Sequence, residues 1–92
     1  MIVYAEVECM FYNGHSLKDK RSVIKRVTAK LRKDFNVAVA ELDYQDLWQR
    51  TKLGIVTISN TQVHADQIIQ EVFRVIDTYP EVERTITNIE RL

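Results

Sequence analysis

The sequence has few of the residues that interrupt secondary structure or cross-link a chain. Its 92 residues include two glycines, one proline and one cysteine. So little glycine and proline leaves no stretch with the composition of a flexible linker. A single cysteine cannot form a disulfide within the chain, so we expect Cys9 to be a thiol in the core. We therefore expect a single domain over residues 1–92, long enough to bury one core.

The sequence also lacks the long apolar segments of membrane proteins. Its longest apolar run is only a few residues, far short of the roughly 20 that span a bilayer as a helix. Residues 1–12 contain Glu6 and Glu8 and have no basic start, so we expect no signal peptide. The composition, 46% apolar and 28% charged, is typical of a folded globular protein. We expect a cytoplasmic protein with no membrane partner.

Charge is balanced in total but not along the chain. Lysine and arginine number 13, as do aspartate and glutamate. Residues 18–33 hold eight of the cations and a single acid, Asp19, so the remainder carries a net charge of −7. Any attraction to a polyanion must therefore be local to this segment.

The first half of the chain predicts a strand, a helix and a second strand. Residues 1–12 alternate between an apolar and a mixed face, which is typical of a strand with one buried side. Asn13-Gly14 indicates a turn, and Ser16 with Asp19 has the spacing of a capping box that begins a helix at Leu17. Asn36 is the expected end of that helix. The expected apolar stripe of the helix is Val23, Ile24, Val27, Leu31 and Phe35.

The second half repeats this pattern. Residues 37–42 and the β-branched run 51–59 predict two strands. Asn60 or Thr61 can cap a second helix, which Pro80 stops, and residues 82–91 predict a last strand. The expected apolar stripe of the second helix is Ile68, Ile69, Val72, Phe73, Ile76 and Tyr79. The order β-α-β-β-α-β predicts an α+β ferredoxin-like fold, a four-stranded antiparallel sheet with two helices on one face.

Three motifs resemble the YlxP-like family of small bacterial proteins of unknown function. They are residues 15–21 (HSLKDKR), 45–50 (QDLWQR) and 83–90 (ERTITNIE). The resemblance implies a ferredoxin-like fold, a cytoplasmic location and no established catalytic residues. Genes of this family tend to lie beside genes for transcription elongation, translation initiation and ribosome maturation, which implies work on RNA or the ribosome. One departure is Leu42-Asp43-Tyr44, bulkier than the small, glycine-containing turn of the family.

The basic helix is the leading functional candidate. Lysine and arginine displace counterions from phosphates, and a helix N-terminus adds amide donors. We therefore expect an RNA- or ribosome-associated factor, although a merely solvated helix face remains the alternative. A phosphate at the helix start, beside His15 and Ser16, is a further possibility. The candidate nucleic-acid-binding residues are Lys18, Lys20, Arg21, Lys25 and Arg32.

Trp48 is the only tryptophan and lies with Arg50 in the polar connection between the second and third strands. The pair could anchor a protein partner or stack on a base, or the ring could fold back onto the core. The mixed face of the first strand, with Ile2, Tyr4, Met10 and Tyr12, could also leave an apolar patch. The alternative function is thus a protein–protein adaptor or a homodimer acting through the sheet face and Trp48.

Catalysis is not expected. The third strand has no aromatic residue for base stacking as in an RNA-recognition motif, and the first loop has no arginine for an acylphosphatase-like site. No nucleophile elbow, P-loop or paired zinc spacing is present. His64 is the only histidine besides His15, and no cysteine pair accompanies it. We expect no catalytic, metal or cofactor site.

Overall fold

The computed structural model describes residues 1–12 and 15–92 and has the predicted order of elements. The turn predicted at Asn13-Gly14 lies outside the described residues. The elements are β1 (Ile2–Phe11), α1 (Leu17–Asp34), β2 (Val37–Asp43), β3 (Arg50–Ile58), α2 (Gln62–Asp77) and β4 (Val82–Arg91).

The four strands form one antiparallel sheet in the order β2-β3-β1-β4, which confirms the predicted ferredoxin-like fold. The register places Val7 opposite Leu53 on β3 and Thr87 on β4. Register shifts occur between Glu8 and Cys9 on the β4 side and near the end of β2. The pairing of β1 with β3 has no register shift. Even-numbered residues of these two strands therefore share one face of the sheet, and odd-numbered residues share the other.

The core lies between one face of the sheet and both helices. The predicted apolar face of β1 is almost fully buried, and so are the centres of both helix stripes. Each of these apolar surfaces is removed from water only by packing against another element. The core includes Val3, Ala5, Val7, Cys9 and Phe11 of β1, Val23, Val27 and Leu31 of α1, Ile55 of β3, and Ile69, Val72, Phe73 and Ile76 of α2.

The start of α1 follows the capping prediction in most respects. The Ser16 hydroxyl accepts a hydrogen bond from the Asp19 amide at 3.1 Å. The Asp19 carboxylate accepts from the amide of His15, one residue before the cap, rather than from the cap itself. The helix ends at Asp34, and Asn36, the predicted end, instead donates its side-chain amide to the Ile58 carbonyl at 3.0 Å.

The second helix begins after Thr61, whose hydroxyl accepts from the His64 amide at 3.2 Å, so Thr61 and not Asn60 is the cap. It ends at Asp77, three residues before Pro80. Within the described ranges, neither helix combines the length and the apolar character that a membrane span requires.

The Cys9 thiol gives a direct test of this core. It is 1% exposed, and burial raises its pKa to about 12. Because the thiolate is the reactive form, we expect Cys9 to resist a thiol reagent such as iodoacetamide at pH 8 and to react readily in guanidinium chloride. Mass spectrometry of the labelled protein measures both rates. Equal rates in the native and the denatured chain would contradict the placement of β1.

Candidate nucleic-acid interface

The eight cations of α1 do not form a single outward face. At 100° per residue, Lys20 points in nearly the same direction as Leu31, in the middle of the apolar stripe. The side chains of Lys18, Arg21, Lys25 and Arg32 fall within one opposite arc about 60° wide. The helix therefore presents one cation to the interior and a row of four to the surface. We call Lys18, Arg21, Lys25 and Arg32 the basic row.

Lys20 corrects the sequence prediction. It was expected among the phosphate-binding cations, but its side chain is 0% exposed. Its ammonium group donates to the backbone carbonyl oxygens of Tyr44, Leu47 and Arg50 at 2.6, 2.7 and 2.8 Å. The carboxylate of Glu41 lies 3.1 Å away. Lys20 is therefore enclosed by acceptors and unavailable to a nucleic acid.

These contacts fix the connection between β2 and β3. An ammonium group has three donors, and two carbonyls of this connection and one at the start of β3 use them. Glu41 supplies the countercharge and also accepts from the Thr51 hydroxyl at 2.6 Å, so the buried charge is paired and bonded. We call this arrangement the Lys20 clamp. It holds a polar segment, residues 44–49, none of which belongs to the buried hydrophobic core.

Tyr44 begins the connection between β2 and β3. Its φ is +64°, in the left-handed region that favours glycine. The Lys20 clamp holds the Tyr44 carbonyl, and the Arg50 guanidinium lies 4.1 Å from the centre of the Tyr44 ring. These two contacts offset the steric strain of a non-glycine residue at this position.

The basic row lies on the exposed side of α1. Its two ends, Lys18 and Arg32, are 14 positions apart, or about 21 Å along the helix. All four side chains are exposed, although the Arg32 guanidinium also donates to the Val39 carbonyl at 2.7 Å. The row agrees in position with the predicted nucleic-acid-binding residues apart from Lys20.

The row differs from the cations outside α1 in its lack of acidic partners. Outside α1, each lysine and arginine of the described chain pairs with a carboxylate: Arg50 with Glu8, Lys52 with Glu6, Arg74 with Glu71, Arg84 with Asp77 and Arg91 with Asp66. On α1, Arg26 pairs with Glu81 and Lys30 with Asp34, whereas Lys33, outside the row, has no acidic partner among the described residues. No carboxylate of residues 1–12 or 15–92 pairs with the basic row. Its positive charge is therefore concentrated and not neutralised locally.

The helix start is less suited to a phosphate than the sequence indicated. The Ser16 hydroxyl already occupies the Asp19 amide. The carboxylate of Asp19 lies against the His15 amide, where it would repel an anion. With Lys20 turned inward as well, Lys18 and Arg21 are the predicted cations that remain near this end.

Trp48 and Arg50 lie on different sides of the sheet, so the structure does not bring the two predicted partner-binding residues together. Arg50 donates to the Glu8 carboxylate at 2.7 Å on the face away from the helices. Trp48 is half-buried on the helix side, and its ring meets that of His15 edge-on, with 6.0 Å between centroids. Of these two side chains, only that of Trp48 therefore lies beside α1.

A pocket of about 220 Å³ opens beside Trp48. It lies where the end of β1, the first half of α1, the β2–β3 connection and the chain before β4 converge. Its lining combines aromatic rings with charged groups: Phe11, Tyr12, Asp19, Lys20, Ser22, Val23, Arg26, Trp48 and Glu81. We call it the Trp48 pocket. No sequence motif indicated it, because its residues come from four separate segments.

The face of the sheet away from the helices is mixed. Glu6 pairs with Lys52 at 3.3 Å, and hydrogen bonds from Tyr4 and Lys52 lower the pKa of Glu6. An apolar groove lies beside these charges, lined by Tyr4, Ala38, Ala40, Leu42, Gly54 and Val56 among others. Leu42 packs onto Gly54, and a Cβ added to Gly54 would lie 2.7 Å from Cδ1 of Leu42. Ile2 and Ile58, opposite one another at the strand ends, are 36% and 60% exposed.

The fold and this surface define an α+β domain of ferredoxin-like architecture with a charged outer helix. The chain belongs to the DUF503 family of proteins of unknown function, whose sequence model matches residues 2–89. It is 47% identical to the uncharacterized protein YlxP of Bacillus subtilis (strain 168) over 90 residues, or 98% of each chain. The YlxP-like resemblance is therefore confirmed.

Solved structures share the architecture at low identity. A de novo designed protein with a ferredoxin fold superposes with a TM-score of 0.63 at 18% identity, covering 100% of this chain and 87% of that one. A C-terminal segment of the alpha subunit of aIF2 from Pyrococcus abyssi gives a TM-score of 0.55 at 14% identity, covering 100% and 50%. At such identities the two likenesses establish the fold alone.

Proposed function

We propose that this protein is a non-catalytic, cytoplasmic RNA-binding accessory factor that associates with RNA or with ribosomal particles through the basic row. The observation that carries the proposal is the contrast between this row and the cations outside α1. Every lysine and arginine outside α1 is paired with a carboxylate, whereas the row has no such partner among the described residues.

The geometry of the row suits a nucleic-acid backbone. Lys18, Arg21 and Lys25 follow one another at helical spacings of three and four residues, so their charges lie a few ångströms apart along the axis. A phosphate backbone offers a comparable line of negative charges, and each neutralised phosphate releases counterions. A local row of this kind can bind a polyanion even though the chain has no net charge.

Affinity capture from a bacterial lysate tests this function. We expect the wild-type protein to retain RNA or ribosomal particles at low salt, and ribonuclease treatment to release them. A variant with Arg21→Glu and Lys25→Glu should retain little RNA. Retention of the same RNA by this variant would contradict the proposal, as would a wild-type protein that captures no RNA.

Self-association through the open sheet face is a second candidate. Ile2 and Ile58 form an exposed apolar pair, and the groove beside them continues the apolar surface to Leu42. Burial of such a surface against a second copy would remove it from water. The neighbouring pair Glu6–Lys52 is already neutralised, so it would not repel its counterpart.

Sedimentation equilibrium tests the dimer. We expect a monomer–dimer equilibrium that shifts toward monomer when Ile58 is replaced by aspartate, because a charge on this face would have to be buried. Val63→Asp provides a matched control, since Val63 is an exposed residue of α2 away from the sheet face. A wild-type protein that stays monomeric at high concentration would contradict this candidate.

A further inference from the structure

We propose that the Trp48 pocket takes up one unpaired nucleobase, guanine in preference to the others, from an RNA strand whose phosphates contact the basic row. This inference rests on the proposed function and adds to it a ligand class and a means of selection. It also gives a role to Trp48, which the basic row does not involve.

The size and lining of the pocket favour a single flat ring. Its volume of about 220 Å³ is below the 300–1,000 Å³ typical of sites for drug-sized ligands. Trp48 and Tyr12 both line it, and Tyr12 is 47% exposed. Stacking of bases on aromatic side chains is the common way in which proteins hold single-stranded RNA.

One polar group of the pocket, the Glu81 carboxylate, favours a base that offers hydrogen-bond donors. The Glu81 carboxylate receives the Arg26 guanidinium at 2.7 Å, and this hydrogen bond lowers the pKa of Glu81. Glu81 is therefore ionised at neutral pH and can only accept. The ring N–H and the amino group of guanine are two adjacent donors on one edge, which a carboxylate can accept together. Adenine has one amino group there, and uracil one ring N–H.

The pocket adjoins the basic row on the surface of α1. Ser22, which lines the pocket, lies four residues after Lys18 and three before Lys25. Residues at these spacings are neighbours on a helix. A strand whose phosphates meet Lys18 and Lys25 can therefore pass the rim of the pocket and turn one base into it.

Binding of two matched oligonucleotides tests the inference. One is a short single-stranded oligouridylate with one central guanosine, and the other has an abasic ribose at that position. We expect the guanosine strand to bind about tenfold more tightly, in the range that a single stacked base supplies. Because Trp48 is the only tryptophan, its fluorescence should change with the guanosine strand and not with the abasic one.

The possible results of this experiment distinguish base binding in the Trp48 pocket from phosphate binding by the basic row. If both strands bind equally without a change in Trp48 fluorescence, the pocket inference is wrong and the row can still bind RNA. If neither strand binds, both proposals fail. Replacement of guanosine by adenosine should weaken binding in the wild type, and Glu81→Gln should reduce this difference. Equal affinity for guanosine and adenosine in the wild type would overturn the guanine preference.

Two variants of Trp48 complete the test, with labelled oligonucleotide as the readout. Trp48→Phe keeps an aromatic ring and should retain most of the advantage of the guanosine strand. Trp48→Leu keeps an apolar side chain and should lose it. A Trp48→Leu protein that still prefers the guanosine strand tenfold would contradict the role of the ring.

Discussion

Replacement of Lys20 by methionine is expected to lower the free energy of unfolding by about 3 kcal/mol, because it removes one partner of a buried ion pair. The substitution keeps a long side chain of similar shape but leaves the Glu41 carboxylate without its countercharge. The carbonyls of Tyr44, Leu47 and Arg50 also lose a charged donor. For a domain of this size, the loss corresponds to a decrease in Tm of roughly 12–24 °C.

Urea unfolding followed by circular dichroism measures this effect. Lys30→Met is the matched control, since Lys30 lies on the same helix and pairs with Asp34 at the surface. Exposed pairs of this kind contribute little, so the control should unfold close to the wild type. A Lys20→Met protein as stable as Lys30→Met would show that the Lys20 clamp does not hold the β2–β3 connection.

The combined substitutions Arg21→Glu and Lys25→Glu are expected to weaken RNA binding by about thirtyfold or more at low salt. Each lysine or arginine near an anionic surface supplies a substantial share of the attraction, and the new carboxylates add repulsion. We choose Arg21 and Lys25 because both side chains are free of partners among the described residues. Arg32 donates to the Val39 carbonyl, so its replacement would also disturb the contact between α1 and β2.

A control with the same change in net charge separates the row from general electrostatics. Lys30→Glu with Arg74→Glu alters two exposed cations outside the row that are each paired with a carboxylate, one on each helix. Fluorescence anisotropy with labelled single-stranded RNA gives both affinities. Equal losses in the two proteins would assign binding to overall charge, and no loss in either would remove the row as an RNA-binding surface.

The elements could be predicted from the sequence because their periodicities are strong. The alternation in β1 and the stripe of α2 each have one arrangement that buries their apolar residues. The last strand, predicted at residues 82–91, is observed as Val82–Arg91. Helix ends were less predictable: Phe35, and not Asn36, is the C-cap of α1 because its backbone is already extended.

The sequence prediction assigned Lys20 to the exposed basic face because the residue is charged, although its position lies on the apolar side of the helix. It lies three residues before Val23 and seven before Val27, which places it within the apolar stripe. This phase could have shown that Lys20 points inward. Its acceptors could not be foreseen, since they belong to carbonyls 24 to 30 residues away whose orientation depends on the β2–β3 connection.

The Trp48 pocket could not be predicted from the sequence for the same reason. Its residues come from segments that the sheet order brings together, and no local pattern marks them as neighbours. The separation of Trp48 from Arg50 likewise follows from the path of the connection, which places the two side chains on opposite sides of the sheet. Long-range geometry therefore determined which residues of the candidate site act together.

The salt dependence of RNA binding tests the central claim most directly. If the basic row neutralises three or four phosphates of a single strand, the logarithm of the binding constant should fall with the logarithm of salt concentration at a slope of roughly −2 to −3. The protein with Arg21→Glu and Lys25→Glu should show a slope closer to zero. A wild-type slope near zero, or one that these substitutions leave unchanged, would contradict the claim that the basic row binds RNA.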